Sequence, residues 1–331
     1  MVLNNTTNFF DDLADPVYWY VFAACNLVAF ILWIVSVLEK NSSQVDRIWP
    51  LAPAVWTYVY LTLAVTVYSF NEYKISLARL IIVTILLTAS AARLTFVFWR
   101  KGYYKRAHED HRWAKLRATQ SKVQFFFVNL LFIGFFQNWV LFSLNSPVWF
   151  IVKNPTIDDE LNFLDFIFMF TFIASFVYET VADQQQWTFQ SRKYKWLAEV
   201  NNSEDQDVSS KYGQEELDDF RRGFLTRGLF KWSRHPNYLG ELGLWWSLYG
   251  FTIASQYKSM RENFLVQKSL LNWSLVPILF FTLVFQLTTY STEKSSSEKY
   301  AEYARYKSRV SKIIPWFTTY KPNNVDVDDN N

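Results

Sequence analysis

Long apolar runs alternate along the chain with short, charge-rich segments. Seven runs stand out, at about 17–38, 51–70, 77–99, 123–144, 161–182, 239–257 and 268–290. Typical stretches are VFAACNLVAFILWIVSVL, ARLIIVTILLTASAARLTFVFW and NWSLVPILFFTLVFQLTTY. An α-helix needs roughly 17–25 apolar residues to cross a bilayer, and these runs supply them. A soluble helical bundle would show polar residues at every helical turn, and these runs mostly do not. The sixth is the most dilute, because Glu241 and several polar residues interrupt it. The pattern predicts an all-α polytopic membrane protein with about seven transmembrane helices.

Lys and Arg set the expected orientation, since they concentrate on the cytosolic side. The 100–122 loop carries Arg100, Lys101, Lys105, Arg106, Arg112, Lys115, Arg117 and Lys122, and the 183–238 loop and the tail after 290 are similarly basic. The first sixteen residues have neither Lys nor Arg, and 145–160 has only Lys153. These positions alternate across seven spans to give a lumenal or external N-terminus and a cytosolic C-terminus. The 258–268 loop, with Lys258, Arg261 and Lys268, fits this arrangement poorly.

Composition agrees, at 51% hydrophobic and 20% aromatic. The net charge of +3 is a topology signal and makes no case for nucleic acid. Cys25 is the only cysteine and lies in an apolar run, which excludes a disulfide framework and a cysteine-based metal site. The first run follows Asp11, Asp12 and Asp15 and is too long for a cleavable signal, so it reads as a transmembrane helix. The expected organisation is a lumenal tail (1–16), N-terminal transmembrane helices (17–144), a C-terminal domain (145–317) and a disordered tail (318–331). Within the C-terminal domain, NNSEDQDVSSKYGQEELDD (201–219) reads as a mobile acidic cytosolic insertion. Asn4 and Asn5 each head a sequon, too near the N-terminus to carry a glycosylation expectation.

No GxGxxG, GxxxxGK[ST], GxSxG or HExxH pattern occurs, which disfavours Rossmann and P-loop cofactor domains, and no metal is expected. His108 and His111 flank Glu109 and Asp110, but a charged interfacial helix is favoured there over a metal site. Ionisable groups within or beside the spans are more informative, because burying them in hydrocarbon is costly. Arg79, at the outer end of the third span, is expected to snorkel; Arg93 either snorkels or lines a pocket. Glu179 and Asp183 lie one turn apart on one helix face above Trp187, placed to pair with an Arg or to touch a ligand. Asn129 and Gln137 share a face of the fourth span, and an interhelical hydrogen bond is the preferred reading.

The stretch KWSRHPNYLGELGLWW (231–246) concentrates the chemistry. Pro236 suits the first position of a helix, where its missing N–H would be unpaired anyway. Arg234, just before it, offers a planar fork for phosphate or carboxylate at a positive helix N-terminus, with Lys231 and Arg227 near in sequence. Asn237 and Tyr238 supply directional hydrogen bonds, and Glu241 follows one turn on. Gly240, Gly243 and Gly250 permit close approach of a helix or a flat ligand. Topology and packing account for the Arg and the glycines but leave Asn237 and Glu241 without a purpose. In the tail, Tyr300, Tyr303 and Tyr306 recur every third residue before the apolar IIPW, which suits a helix lying on the membrane face.

GLFKWSRHPNYLGELGLWW resembles the C-terminal signature of a family of multi-pass proteins related to steroid 5-alpha reductases. The likeness extends to DRIWPLAP (46–53), ARLTFVFWRKGYY with EDHRWAKLR (92–117), ETVADQQQWTFQ (179–190) and EKYAEYARYKSRVSKIIPW (298–316). RHPxY alone also occurs in sterol reductases and in membrane methyltransferases acting on isoprenylcysteine or phospholipids. For the reductase branch, the resemblance implies NADPH bound by the C-terminal helices and reduction of a carbon–carbon double bond in a lipid or sterol-like substrate. Carried over by motif, Arg234, His235, Asn237, Tyr238 and Glu241 contact the cofactor with Glu293, Tyr300 and Tyr303. Tyr238 or Tyr303 is the expected proton donor, and Glu179, Asp183 and Arg93 shape the substrate pocket. The Arg-His-Pro portion differs from that of the steroid 5-alpha reductases themselves, and their N-terminal steroid-contacting residues have no clear counterpart. The alternatives are an S-adenosylmethionine-dependent membrane methyltransferase and a non-catalytic protein of the same fold. The endoplasmic reticulum membrane is the expected location in a eukaryote.

Overall fold

A computed structural model describes residues 9–68, 76–154, 160–202, 210–262 and 271–320. The sequons at Asn4 and Asn5, residues 203–209 of the acidic insertion, residues 321–331 of the tail expected to be disordered, and Lys268 lie outside these. Among the described residues every regular element is a helix, with no strand. The helices are α1 (Phe9–Ala14), α2 (Pro16–Glu39), α3 (Gln44–Ile48), α4 (Ala52–Thr66), α5 (Leu77–Arg100), α6 (His111–Thr119), α7 (Lys122–Ser143), α8 (Ser146–Lys153), α9 (Phe163–Asn202), α10 (Gln214–Arg222), α11 (Pro236–Glu262), α12 (Leu275–Lys299) and α13 (Tyr303–Arg309). Five of them, α2, α5, α7, α9 and α12, are long and apolar enough to cross a membrane. The second expected span is the shorter apolar helix α4, and the sixth is α11, 27 residues long but diluted as its sequence suggested. The chain is a multi-pass membrane protein by these helices. It folds as two compact units, one from 1–173 with 244–281 and the other from 174–243 with 282–331.

In the first unit, acidic residues ahead of α2 do more than flank it. Asp15 caps α2 by accepting from Val17 N (2.8 Å) and also binds Tyr68 OH and Lys153 Nζ, each at 2.6 Å. Asp12 is buried and accepts from Trp273 Nε1 (2.7 Å) and Asn154 Nδ2 (3.1 Å). Beneath them Trp149, Phe150 and Tyr60 are fully buried. Elsewhere in the unit, the DRIWP and EDHRW stretches interlock. Trp113 Nε1 donates to Asp46 Oδ2 (2.8 Å), Asp110 N to Ser43 Oγ (2.8 Å), and Ser42 N to Glu109 Oε1 (2.8 Å), while Arg117 holds Glu109 at 2.6 Å. His108 packs on Tyr103 and His111 is exposed, so the four residues that spacing placed together serve separate ends.

Arg79 corrects the expectation that it snorkels. Its guanidinium grips Asp165 of α9 through Nε–Oδ1 (2.6 Å) and Nη2–Oδ2 (2.9 Å), and both side chains are 1% exposed. A buried carboxylate offered the fork a better partner than the interface did. The fourth span, α7, carries a π-helical middle, Val128–Phe136, where Gly134 lies against Trp33 and Asn129 donates to Ser36 Oγ (3.0 Å). That is the interhelical bond expected of Asn129.

The second unit holds the longer polar, charge-rich segments. α9 runs 40 residues, well past the apolar run that predicted it, because 183–202 is rich in good helix formers. The stretch 201–219, read from composition as a mobile insertion, contributes α10 from Gln214 onward, with Leu217, Asp219 and Phe220 buried. Leu217 and Phe220 pack with Phe189, Leu225 and Phe230.

Candidate functional site

α11 begins at Pro236, as the sequence implied. The preceding residues are extended and tied to the tail: Ser233 forms a parallel bridge with Ser311, Arg234 N donates to Ser311 O (2.9 Å), and His235 N to Lys312 O (3.2 Å). Ser233 Oγ adds a 2.6 Å bond to Ile313 O. This pairing presents Arg234 and His235 to one buried carboxylate. Glu293 Oε1 accepts from Arg234 Nε (2.7 Å) and faces His235 Nε2 (3.1 Å), while Oε2 lies 3.2 Å from Lys307 Nζ. The Arg234 and Glu293 side chains are 8% and 3% exposed.

Arg234 does not extend an open fork. Its Nη1 donates to the carbonyls of Lys307 (2.7 Å) and Val310, both on the tail. The guanidinium thus spends three of its five donors inside the protein. His235 stacks on Tyr238 with ring centroids 5.1 Å apart, and Tyr238 meets Phe285 edge-on at 4.9 Å. Asn237, Tyr238 and Glu241 are half-buried on the first turns of α11.

The three tail tyrosines part company. Tyr303 and Tyr306 are buried against Phe224, and Tyr306 OH donates to Phe230 O (2.6 Å). Burial, with the charge of Glu293 nearby, pushes the Tyr303 phenol up to about 12. The aromatic side of α13 therefore faces protein, whereas the tyrosine repeat by itself suits the membrane face. Tyr300 stands over Gly223, where φ is +91° and any Cβ would strike the ring. Lys193 is buried here and donates to Gly223 O (3.0 Å).

Glu179 is buried on α9, and a Cβ on Gly240 would lie 2.9 Å from its Cα. Gly243 similarly admits Ser175. These glycines accept a helix, the first of the two readings the sequence left open. Asp183 lies one turn beyond Glu179, and after it Gln184, Gln185 and Thr188 line an open recess of about 270 Å³ together with Phe189, Leu225 and Arg227. Arg93 belongs to the first unit, where it is buried; Glu179 and Asp183 belong to the second. Sequence reasoning missed Asp219, wholly buried and held by Thr226 Oγ1 (2.6 Å), Arg222 (2.8 Å) and Arg227 (2.7 Å). Its signal was the Leu217–Phe220 spacing followed by those basic residues.

An uncharacterised protein of Schizosaccharomyces pombe is 36% identical over 286 residues, covering 86% of this chain and 76% of the relative. No solved structure matches the chain. The model of a family described as proteins of unknown function, DUF1295, matches residues 32–310, most of the chain, and the protein belongs to that family.

Proposed function

We propose that the protein is an NADPH-dependent membrane oxidoreductase that reduces a carbon–carbon double bond of a lipid or sterol-like substrate. The reading also keeps seven spans, with a lumenal N-terminus and a cytosolic C-terminus, in the membrane of the endoplasmic reticulum. The observation that carries it is the grouping of Arg234, His235, Tyr238 and Glu293 at the start of α11, with Lys307 half-exposed beside them.

The donor set fits a phosphorylated dinucleotide. Lys307 and the remaining Nη2 of Arg234 supply cations for phosphate, while Asn237 and Glu241 suit ribose hydroxyls and amide groups. When bound, NADPH supplies a hydride equivalent to one carbon of the alkene. Tyr238 gives its phenolic proton to the neighbouring carbon, leaving the double bond saturated. Tyr238 is preferred to Tyr303 because it is half-buried and stacked on the His235 ring, whereas Tyr303 is packed among Phe224 and Tyr306 with its acidity suppressed. A positioned acid of this kind contributes about 10²–10⁴-fold in rate. Besides offering Nη2, Arg234 holds Glu293 and the tail in register through its Nε and Nη1 bonds.

Ligand-dependent melting of the detergent-solubilised protein tests the reading. A ligand at 100 times its Kd stabilises by about 2.7 kcal/mol. NADPH is expected to raise Tm in a saturable way and S-adenosylmethionine to leave it unchanged. The reverse result assigns the site to methyl transfer, and a flat response to both removes the cofactor proposal.

A further inference from the structure

After α13 the chain turns apolar residues outward. Ile314, Trp316 and Phe317 are 69%, 62% and 86% exposed, and Trp232 joins them at 38%. This edge is held in place: Trp316 N donates to Trp232 O (3.3 Å), and the Ser233–Ser311 bridge and the Ser233 Oγ–Ile313 O bond pin the backbone on either side. A firmly fixed cluster of this size, facing outward, requires an occupant.

Its level relative to α12 indicates which one. Lys312 Nζ donates to Gln286 Oε1 (2.7 Å). Gln286 sits among Leu283, Leu287 and Tyr290, all more than half exposed on a helix apolar enough to cross a membrane, and the first charges follow at Glu293 and Lys294. Gln286 and Tyr290 are about one turn, roughly 6 Å along the axis, apart. The outward edge therefore stands where α12 changes from apolar to charged. Lys231 lies 5.3 Å over the Trp232 ring, and Lys312 reaches α12 from the same edge. Trp and Phe with Lys at that level compose an interfacial belt, with cations placed for lipid phosphates.

We propose that the segment 314–317, together with Trp232, is seated in one leaflet of the bilayer, with lipid as its occupant. The leaflet contact then belongs to this loop, while the tyrosine side of α13 packs on protein. The inference rests on exposure and on the bond to α12, independently of any cofactor.

The test uses the full chain in nanodiscs of phosphatidylcholine and phosphatidylserine. Phe317→Cys, at a position with almost no contacts to lose, and Lys211→Cys, exposed on the second unit, each carry an environment-sensitive fluorophore. Native Cys25 is 1% exposed and supplies the background. The label at 317 is expected to be quenched by nitroxide on the lipid and shielded several-fold from aqueous iodide, with the opposite pattern at 211. Quenching at 317 by iodide and not by lipid nitroxide overturns the proposal. Shielding from both also overturns it, because a protein surface would then cover the loop.

Discussion

Glu293 anchors the junction of the α11 start and the tail, so removing its carboxylate is the most direct perturbation. Glu293→Ala leaves the Arg234 guanidinium, 8% exposed, with only its carbonyl contacts, and deprives His235 and Lys307 of their acceptor. Removing one partner of a buried ion pair costs about 3–5 kcal/mol. Lys307 is 41% exposed, so its share is at most about 1 kcal/mol. Because two backbone carbonyls still hold Arg234, a cost of about 3 kcal/mol, at the lower end, is expected. A decade in an equilibrium constant corresponds to about 1.4 kcal/mol, so local opening should become about 10²-fold more frequent. Hydrogen exchange followed by mass spectrometry reads this where the amides of Arg234 and His235 bond the tail, in peptides covering 229–240 and 305–317. The double variant Arg234→Met/Glu293→Leu removes both charges and should recover much of the lost protection. Unchanged exchange in Glu293→Ala, or a double variant as damaged as the two singles added together, would refute the account of Glu293 as the anchor.

Asp165→Asn should lower stability by about 3–5 kcal/mol by stranding the buried Arg79 charge, and Arg79→Met/Asp165→Leu should restore the thermal melt. Gly223→Ala is expected to cost at least about 1–2 kcal/mol for its left-handed backbone, with a further loss from contact with Tyr300; a melt matching the parent would show that the loop relaxes freely. Burial raises the Asp110 carboxyl, but the side-chain and backbone bonds from Arg112 outweigh it and hold the group below the usual carboxylate range. The stabilisation from Asp110 is therefore present above the ordinary value of about 3.9 and is lost as pH falls through and below it. Melts of the parent and Asp110→Asn should converge in acid and separate toward neutral pH.

Much of the architecture was legible because it depends on local pattern. Pro236 opens its helix, Gly240 and Gly243 mark a close helix crossing, and five of the apolar runs appear as long apolar helices. Local pattern gave no access to partners far along the chain. Arg234 meets a carboxylate 59 residues away and carbonyls more than 70 away, so the sequence exposed a free cation where the fold makes an internal tie. Arg79 was misjudged for the same reason. Asp219 was hidden by composition, since a polar average over 201–219 concealed two apolar residues at helical spacing. The tyrosine repeat had the right period, but periodicity does not say whether lipid or protein covers a helix face.

The Arg79–Asp165 pair has a consequence for biosynthesis. Its halves are 86 residues apart in the chain, so at about 5–20 residues per second α5 is made roughly 4–17 s before α9 can offer the matching charge. Through that interval Arg79, near the start of α5, has to keep its head group hydrated at the membrane edge. Arrival of Asp165 then releases α5 to take its final depth. The ion pair thereby imposes an order on assembly, with α5 waiting for α9 before the first unit can close.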